Sequence, residues 1–162
     1  LTNVATYGGI SRSAETWWKA KYTALSDYIS LEAIQAMVGD LTDGNIRPQL
    51  IITTQDVWDD IYTILTPYQR DYSDKETAKF GYQKIVISGI PITVDAQCPS
   101  GEMYFLNFDY LKWRPLAKYA NFHFTGWKDP VLQDMMTAQL IWKGNLTCSN
   151  CRYQGRIVSI ST

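Results

Sequence analysis

The sequence predicts an α+β fold, and three observations carry that prediction. Apolar side chains recur at helical spacing over residues 31–41 and 57–65, three apolar β-type runs divided by turn residues occupy residues 84–108, and strand-like alternation returns over residues 133–160. The chain has 162 residues, 46% of them apolar and 19% charged. That is enough to bury about two-thirds of the unfolded surface in one compact core. No apolar run approaches the roughly 20 residues that cross a bilayer, so no membrane partner is expected.

Residues 1–12 include Gly8-Gly9 and little periodicity, and read as a loop or extended arm. Trp17 and Trp18 follow. Adjacent aromatics fall on different faces of any regular element, so at least one needs a neighbour from elsewhere; core anchoring and an interface contact are both open. The first clear helix runs over residues 30–41, with Ser30 as N-cap and Leu31, Ile34, Val38 and Leu41 on one stripe. Asp43-Gly44-Asn45 ends it. Residues 49–53, QLIIT, form a continuous apolar run expected of a strand buried on both faces. Thr54 is the next N-cap, Asp56 suits the first turn, and Val57, Ile61, Ile64 and Leu65 form the apolar stripe of a helix that Pro67 stops.

Residues 68–79, YQRDYSDKETAK, are the most polar stretch and read as an exposed loop. Residues 84–108 then predict a three-stranded meander. Ser88-Gly89 makes a two-residue hairpin; Ile90, Ile92 and Val94 alternate with Pro91, Thr93 and Asp95; Pro99-Ser100-Gly101 reverses the chain before a third strand. Pro91 has no N–H to give, which predicts an edge or a bulge there. Residues 111–117 and 121–127 are further strand candidates, with His123 on the face opposite Phe122 and Phe124. Asp129-Pro130 breaks the chain. Residues 133–160 read as a β-rich ribbon separate from the compact part.

The net charge of -1 conceals a polarity. Residues 1–110 carry 8 Lys+Arg against 14 Asp+Glu, a net of -6, and residues 111–162 carry 7 against 2, a net of +5. Either solvated faces segregate, or surfaces of opposite sign meet at a subunit contact or face a polyanion.

No phosphate loop, GxSxG elbow, HExxH or EF-hand loop occurs, so no catalytic residue is nominated and no cofactor or metal is expected. Cys148 and Cys151 have the spacing of a dithiol or half a zinc site. A zinc site would need Cys98 and the single His123 as partners, and the strand-like flanks lack the helix N-terminus that lowers a redox thiol's pKa. A small zinc or dithiol protein remains the alternative from a different class. The 6 Trp and 11 Tyr would also suit a stacking ligand binder, but their scatter favours core and protein contacts.

Taken in order, several segments resemble the major capsid proteins of tailed bacteriophages, the Hong Kong 97 fold. They are Gly8-Gly9-Ile10-Ser11-Arg12 with Trp17-Trp18; Pro48-Gln49-Leu50-Ile51-Ile52-Thr53-Thr54; Phe80-Gly81-Tyr82 and Gly89-Ile90-Pro91-Ile92-Thr93-Val94-Asp95; Gly101-Glu102-Met103-Tyr104-Phe105-Leu106-Asn107; and the run from Ala138 to Cys148. The resemblance implies a structural subunit, not an enzyme. Residues 1–29 would be an arm or linker contacting the peripheral domain, residues 30–128 an axial domain with a central sheet and flanking helices, and residues 129–162 a peripheral-domain ribbon. It implies that an N-terminal arm, an extended hairpin loop and a spine helix precede Leu1.

The partners implied are copies of itself in pentamers and hexamers, a scaffolding protein or protease, and packaged DNA by non-specific proximity. The place implied is the virion, assembled in the host bacterial cytoplasm. An encapsulin-like compartment shell is the alternative within the fold. Contact candidates are Lys143, Arg152 and Arg156 as donors, Asp71, Asp74 and Glu76 as acceptors, with Arg70, Trp17 and Trp18 beside them.

Overall fold

The computed structural model describes residues 6–66, 85–119, 122–129 and 134–161. The chain divides into two compact units: Leu1–Tyr110 with Asn150–Thr162, and Leu111–Ser149.

The first unit is built on a six-stranded sheet. Its strands are β3 (Lys21–Tyr28), β4 (Leu50–Thr53), β5 (Ile85–Ile87), β6 (Ile90–Val94), β7 (Met103–Leu106) and β12 (Gly155–Ser161), in the order β3-β12-β7-β4-β6-β5. A short hairpin, β1 (Thr6–Tyr7) and β2 (Ile10–Ser11), precedes it, turning through Gly8 and Gly9 at φ 62° and 80°. This hairpin and β3 were not visible in the composition of the first 29 residues. β3 is an edge strand, exposed along most of its length, so it has no buried face to impose an alternation.

Two helices cover one face of the sheet. α1 (Leu31–Leu41) starts where the sequence predicts, with Ser30 Oγ accepting from the Ala33 N–H at 3.1 Å. α2 (Gln55–Leu65) starts after Thr54, whose side chain makes no capping bond. Pro67, its expected stop, lies outside the described residues, as does the polar loop at 68–79. Ile34, Val38 and Leu41 from α1 and Val57 and Ile61 from α2 join Ile51, Ile92, Met103, Phe105 and Ile157 in one core. Gly155 marks the contact of β12 with α1, since a Cβ there would lie 2.7 Å from Leu41 Cδ1 and 3.0 Å from Met37 Sδ.

Three expectations are corrected. β5 and β6 form the predicted hairpin, with Ser88 and Gly89 both at positive φ, but residues 84–108 are not a meander. β4 lies between β6 and β7, parallel to the first and antiparallel to the second. Pro91 is therefore not on an edge strand; it sits opposite Val86, one residue before the β4 ladder begins at Ile92, so its missing N–H falls short of that ladder. β4 is buried on one face only: Ile51 and Thr53 face the core while Leu50 and Ile52 are half-exposed. Finally, β12 is no detached ribbon. It runs inside the sheet, parallel to β3 and antiparallel to β7, because Ile157 and Ile160 pack into the core and Val158 is covered on the other face.

The second unit holds two antiparallel ribbons. β8 (Leu111–Pro115) pairs with β11 (Gly144–Cys148), and β9 (His123–Phe124) with β10 (Leu140–Ile141). The strands expected at 111–117 and 121–127 are thus present but shorter. None of the described residues in this unit is buried.

Candidate assembly surfaces

On the sheet face away from the helices, strand register places Tyr22, Arg156, Tyr104, Ile52 and Thr93 in a row across β3, β12, β7, β4 and β6. Arg156 is held in this row. Its side chain is only 13% exposed, Nη1 lies 3.5 Å from Glu102 Oε2, and the guanidinium sits 5.2 Å from the Tyr22 ring centroid. The Tyr104 hydroxyl donates to the same Glu102 carboxylate. Burial, and then that hydrogen bond, push the Tyr104 phenol pKa upward. The arrangement is a cross-strand clamp joining β12, β7 and β3. Among the donors nominated from sequence, Arg156 is therefore engaged within its own chain.

The other nominated residues are differently placed. Trp18 is 9% exposed, with Nε1 donating to the Tyr7 carbonyl at 3.3 Å and its ring stacked on Tyr7, so it is the core anchor of the pair. Trp17 is 54% exposed. It lines an open cleft of about 520 Å³ with Lys19, Lys21, Tyr22 and Arg152. Arg152 is exposed, 3.8 Å from Asp43. Lys143 lies with its Nζ 5.0 Å from the Tyr119 ring centroid. Arg70, Asp71, Asp74 and Glu76 lie outside the described residues. The cleft brings Trp17 and Arg152 together; Lys143 belongs to the other unit.

The thiols do not assemble into a site. All three cysteines are free, with Cys151 buried and Cys98 and Cys148 half-buried. Among the described residues no three His, Cys, Asp or Glu side chains gather as a metal site requires. Burial, followed by the charges of Glu102 and Asp95, raises the Cys98 pKa and keeps that thiol protonated.

The surface that sequence reasoning missed is in the second unit. In the β8/β11 ribbon, Trp113 stands opposite Leu146, and Leu111, Pro115 and Cys148 share their face, while Lys112, Arg114, Asn145 and Thr147 take the other. Trp113 lies flat over Gly144, where a Cβ would come within 2.3 Å of the indole. Trp142 stacks on Trp113 at 4.8 Å and 6°, and Phe122 stacks on Trp142 at 6.0 Å. All three rings remain about half exposed or more. The alternation of Leu111, Trp113 and Pro115 was a sequence signal for the ribbon face. The stack was not, since its members lie up to 29 residues apart.

No protein-family model and no curated protein matches the chain. Solved structures do. One, described as the cyanophage A-1(L) capsid asymmetric unit, aligns with a TM-score of 0.71 at 18% identity, covering 98% of this chain and 56% of that one. This chain thus spans little more than half the length of the structure it matches. At that identity the likeness is one of fold: a mixed α+β architecture, a central sheet with flanking helices, structurally similar to a phage capsid protein related to the Hong Kong 97 fold.

Proposed function

We propose that this chain is the shell-forming part of a major capsid protein of the Hong Kong 97 fold, which self-assembles into an icosahedral bacteriophage head around double-stranded DNA. The observation that carries this reading is the extent of the likeness: nearly the whole chain, both units included, aligns with a capsid subunit. The exposed apolar ribbon of the second unit supports it, because subunits of a closed shell need faces that are covered only by neighbours. In this reading the side chains serve rigidity and contact, the partners are further copies in pentamers and hexamers with a scaffolding protein or protease during assembly, and the mature location is the virion.

Electron microscopy of the full-length gene product, expressed alone and with neighbouring scaffold or protease genes, tests it. Closed icosahedral shells are expected. A stable monomer under every one of those conditions would overturn the reading, and shells filled with protein cargo in place of DNA would turn it to an encapsulin-like compartment.

A further inference from the structure

The second unit presents a problem of stability. It has 39 residues, and none of those described is buried. It nonetheless exposes Trp113, Phe122, Phe124, Trp127, Leu140 and Trp142, among others. Units below about 40 residues ordinarily need a disulfide, a metal or a partner subunit to compensate for the entropy of ordering. Its one cysteine, Cys148, is a free thiol. An apolar surface of this kind is covered by something.

Charge says by what. The second unit carries 5 Lys+Arg against 2 Asp+Glu, a net of +3, and the first unit 10 against 14, a net of -4. The acidic excess has a definite place, because α1 and α2 carry Glu32, Asp40, Asp56, Asp59 and Asp60 and no Lys or Arg. On α2, Trp58 and Tyr62 add a half-exposed stacked aromatic pair, with centroids 5.5 Å apart. Asp60 Oδ2 is enclosed, with no donor among the described residues. The two cations nearest the aromatic stack, Lys118 and Lys143, both lie over Tyr119. If the second unit met itself across a two-fold axis, like charge would face like; docking it on the acidic helices avoids that repulsion.

We infer that the aromatic, basic surface of the second unit packs against the acidic α2 face of an adjacent copy, in a head-to-tail contact that also completes the folding stability of that unit. A contact between two different faces repeats around a ring, so each copy is both donor and acceptor. The inference rests on the shell reading for its geometry, but not for its existence.

The test is reciprocal charge reversal in the full-length protein, read by analytical ultracentrifugation. Lys118→Glu with Lys143→Glu, and separately Asp56→Lys with Asp59→Lys, should each weaken association about tenfold or more. Combining all four should restore it. All four positions are exposed or on the rim of a ring, and unchanged thermal melting of dissociated subunits controls for folding. Equal association in every variant would overturn the inference while leaving shells and the shell reading intact. No shells from the wild type, together with a smaller oligomer that follows the reversal pattern, would sink the shell reading and keep this contact. Tight binding of single-stranded oligonucleotide, quenching Trp fluorescence and lost on Lys118→Glu with Lys143→Glu without any change in association, would overturn it in favour of a nucleic-acid surface.

Discussion

Gln154 shows how much one polar side chain holds. It is fully buried, its Oε1 accepts from the Asn107 N–H and its Nε2 donates to the Asn107 carbonyl, both at 2.9 Å. Asn107 passes the bonding on, donating from Nδ2 to the Arg47 carbonyl at 2.9 Å and accepting from the Asp109 N–H at 3.0 Å. Three separate chain segments are tied at this point. Gln154→Leu keeps the volume but leaves both backbone groups of Asn107 buried without partners, at a cost of about 2–4 kcal/mol. A lower urea midpoint with an unchanged slope is the expected result; an unchanged midpoint would mean that the loop opens to water. Nothing in Tyr153-Gln154-Gly155 announces this role. Glutamine is usually exposed, and its burial here depends on a residue 47 positions away.

The sheet is where strand pairing turned separate sequence segments into one element. Glu102, Tyr104, Arg156 and Tyr22 come from three strands and a turn, and they meet because register aligns them on one face. The Tyr104 phenol has its pKa raised by burial and by the Glu102 bond. A phenol whose folded pKa exceeds the unfolded value of about 10 favours the folded state while it is protonated. Its contribution is complete below that value and is lost as pH rises through the folded pKa. Thermal melts should therefore show the wild type losing stability more steeply than Tyr104→Phe above about pH 10, with matching slopes between about pH 6 and 8. Identical alkaline slopes would remove the pKa argument. The strands β5, β6 and β7 were legible individually from their alternation, but β4 between β6 and β7 was not, because period-2 patterning identifies a strand and its buried face without naming its neighbours.

For the molecule as a whole, the two units differ in what stabilises them. The first has a core shared by the sheet and both helices; the second has stacked rings and ribbon pairing with no buried residue among those described. Amide exchange should follow this difference. In dissociated subunits, the β8 and β11 amides are expected to exchange far faster than those of β4, β7 and β12, and assembly should protect them. Slow exchange of β8 and β11 in dissociated subunits would show that the second unit stands without a neighbour. High salt should shift assembly toward subunits, since the proposed contact pairs opposite charges near the surface.

From the residues alone came both helices, the hairpin at Ser88-Gly89, the α+β class and the change of charge sign at Tyr110, which falls at the first boundary between the units. These are local quantities: periodicity, capping, turn chemistry and summed charge act over a few residues or need no geometry. The tertiary structure alone decided that β12 enters the sheet between β3 and β7, that Arg156 is clamped while Arg152 stays exposed, and that aromatics at 113, 122 and 142 form one stack on an uncovered face. Contacts of that kind join residues far apart in the chain. Loop-closure entropy distinguishes only weakly among such pairings, and the packing of the whole core selects between them.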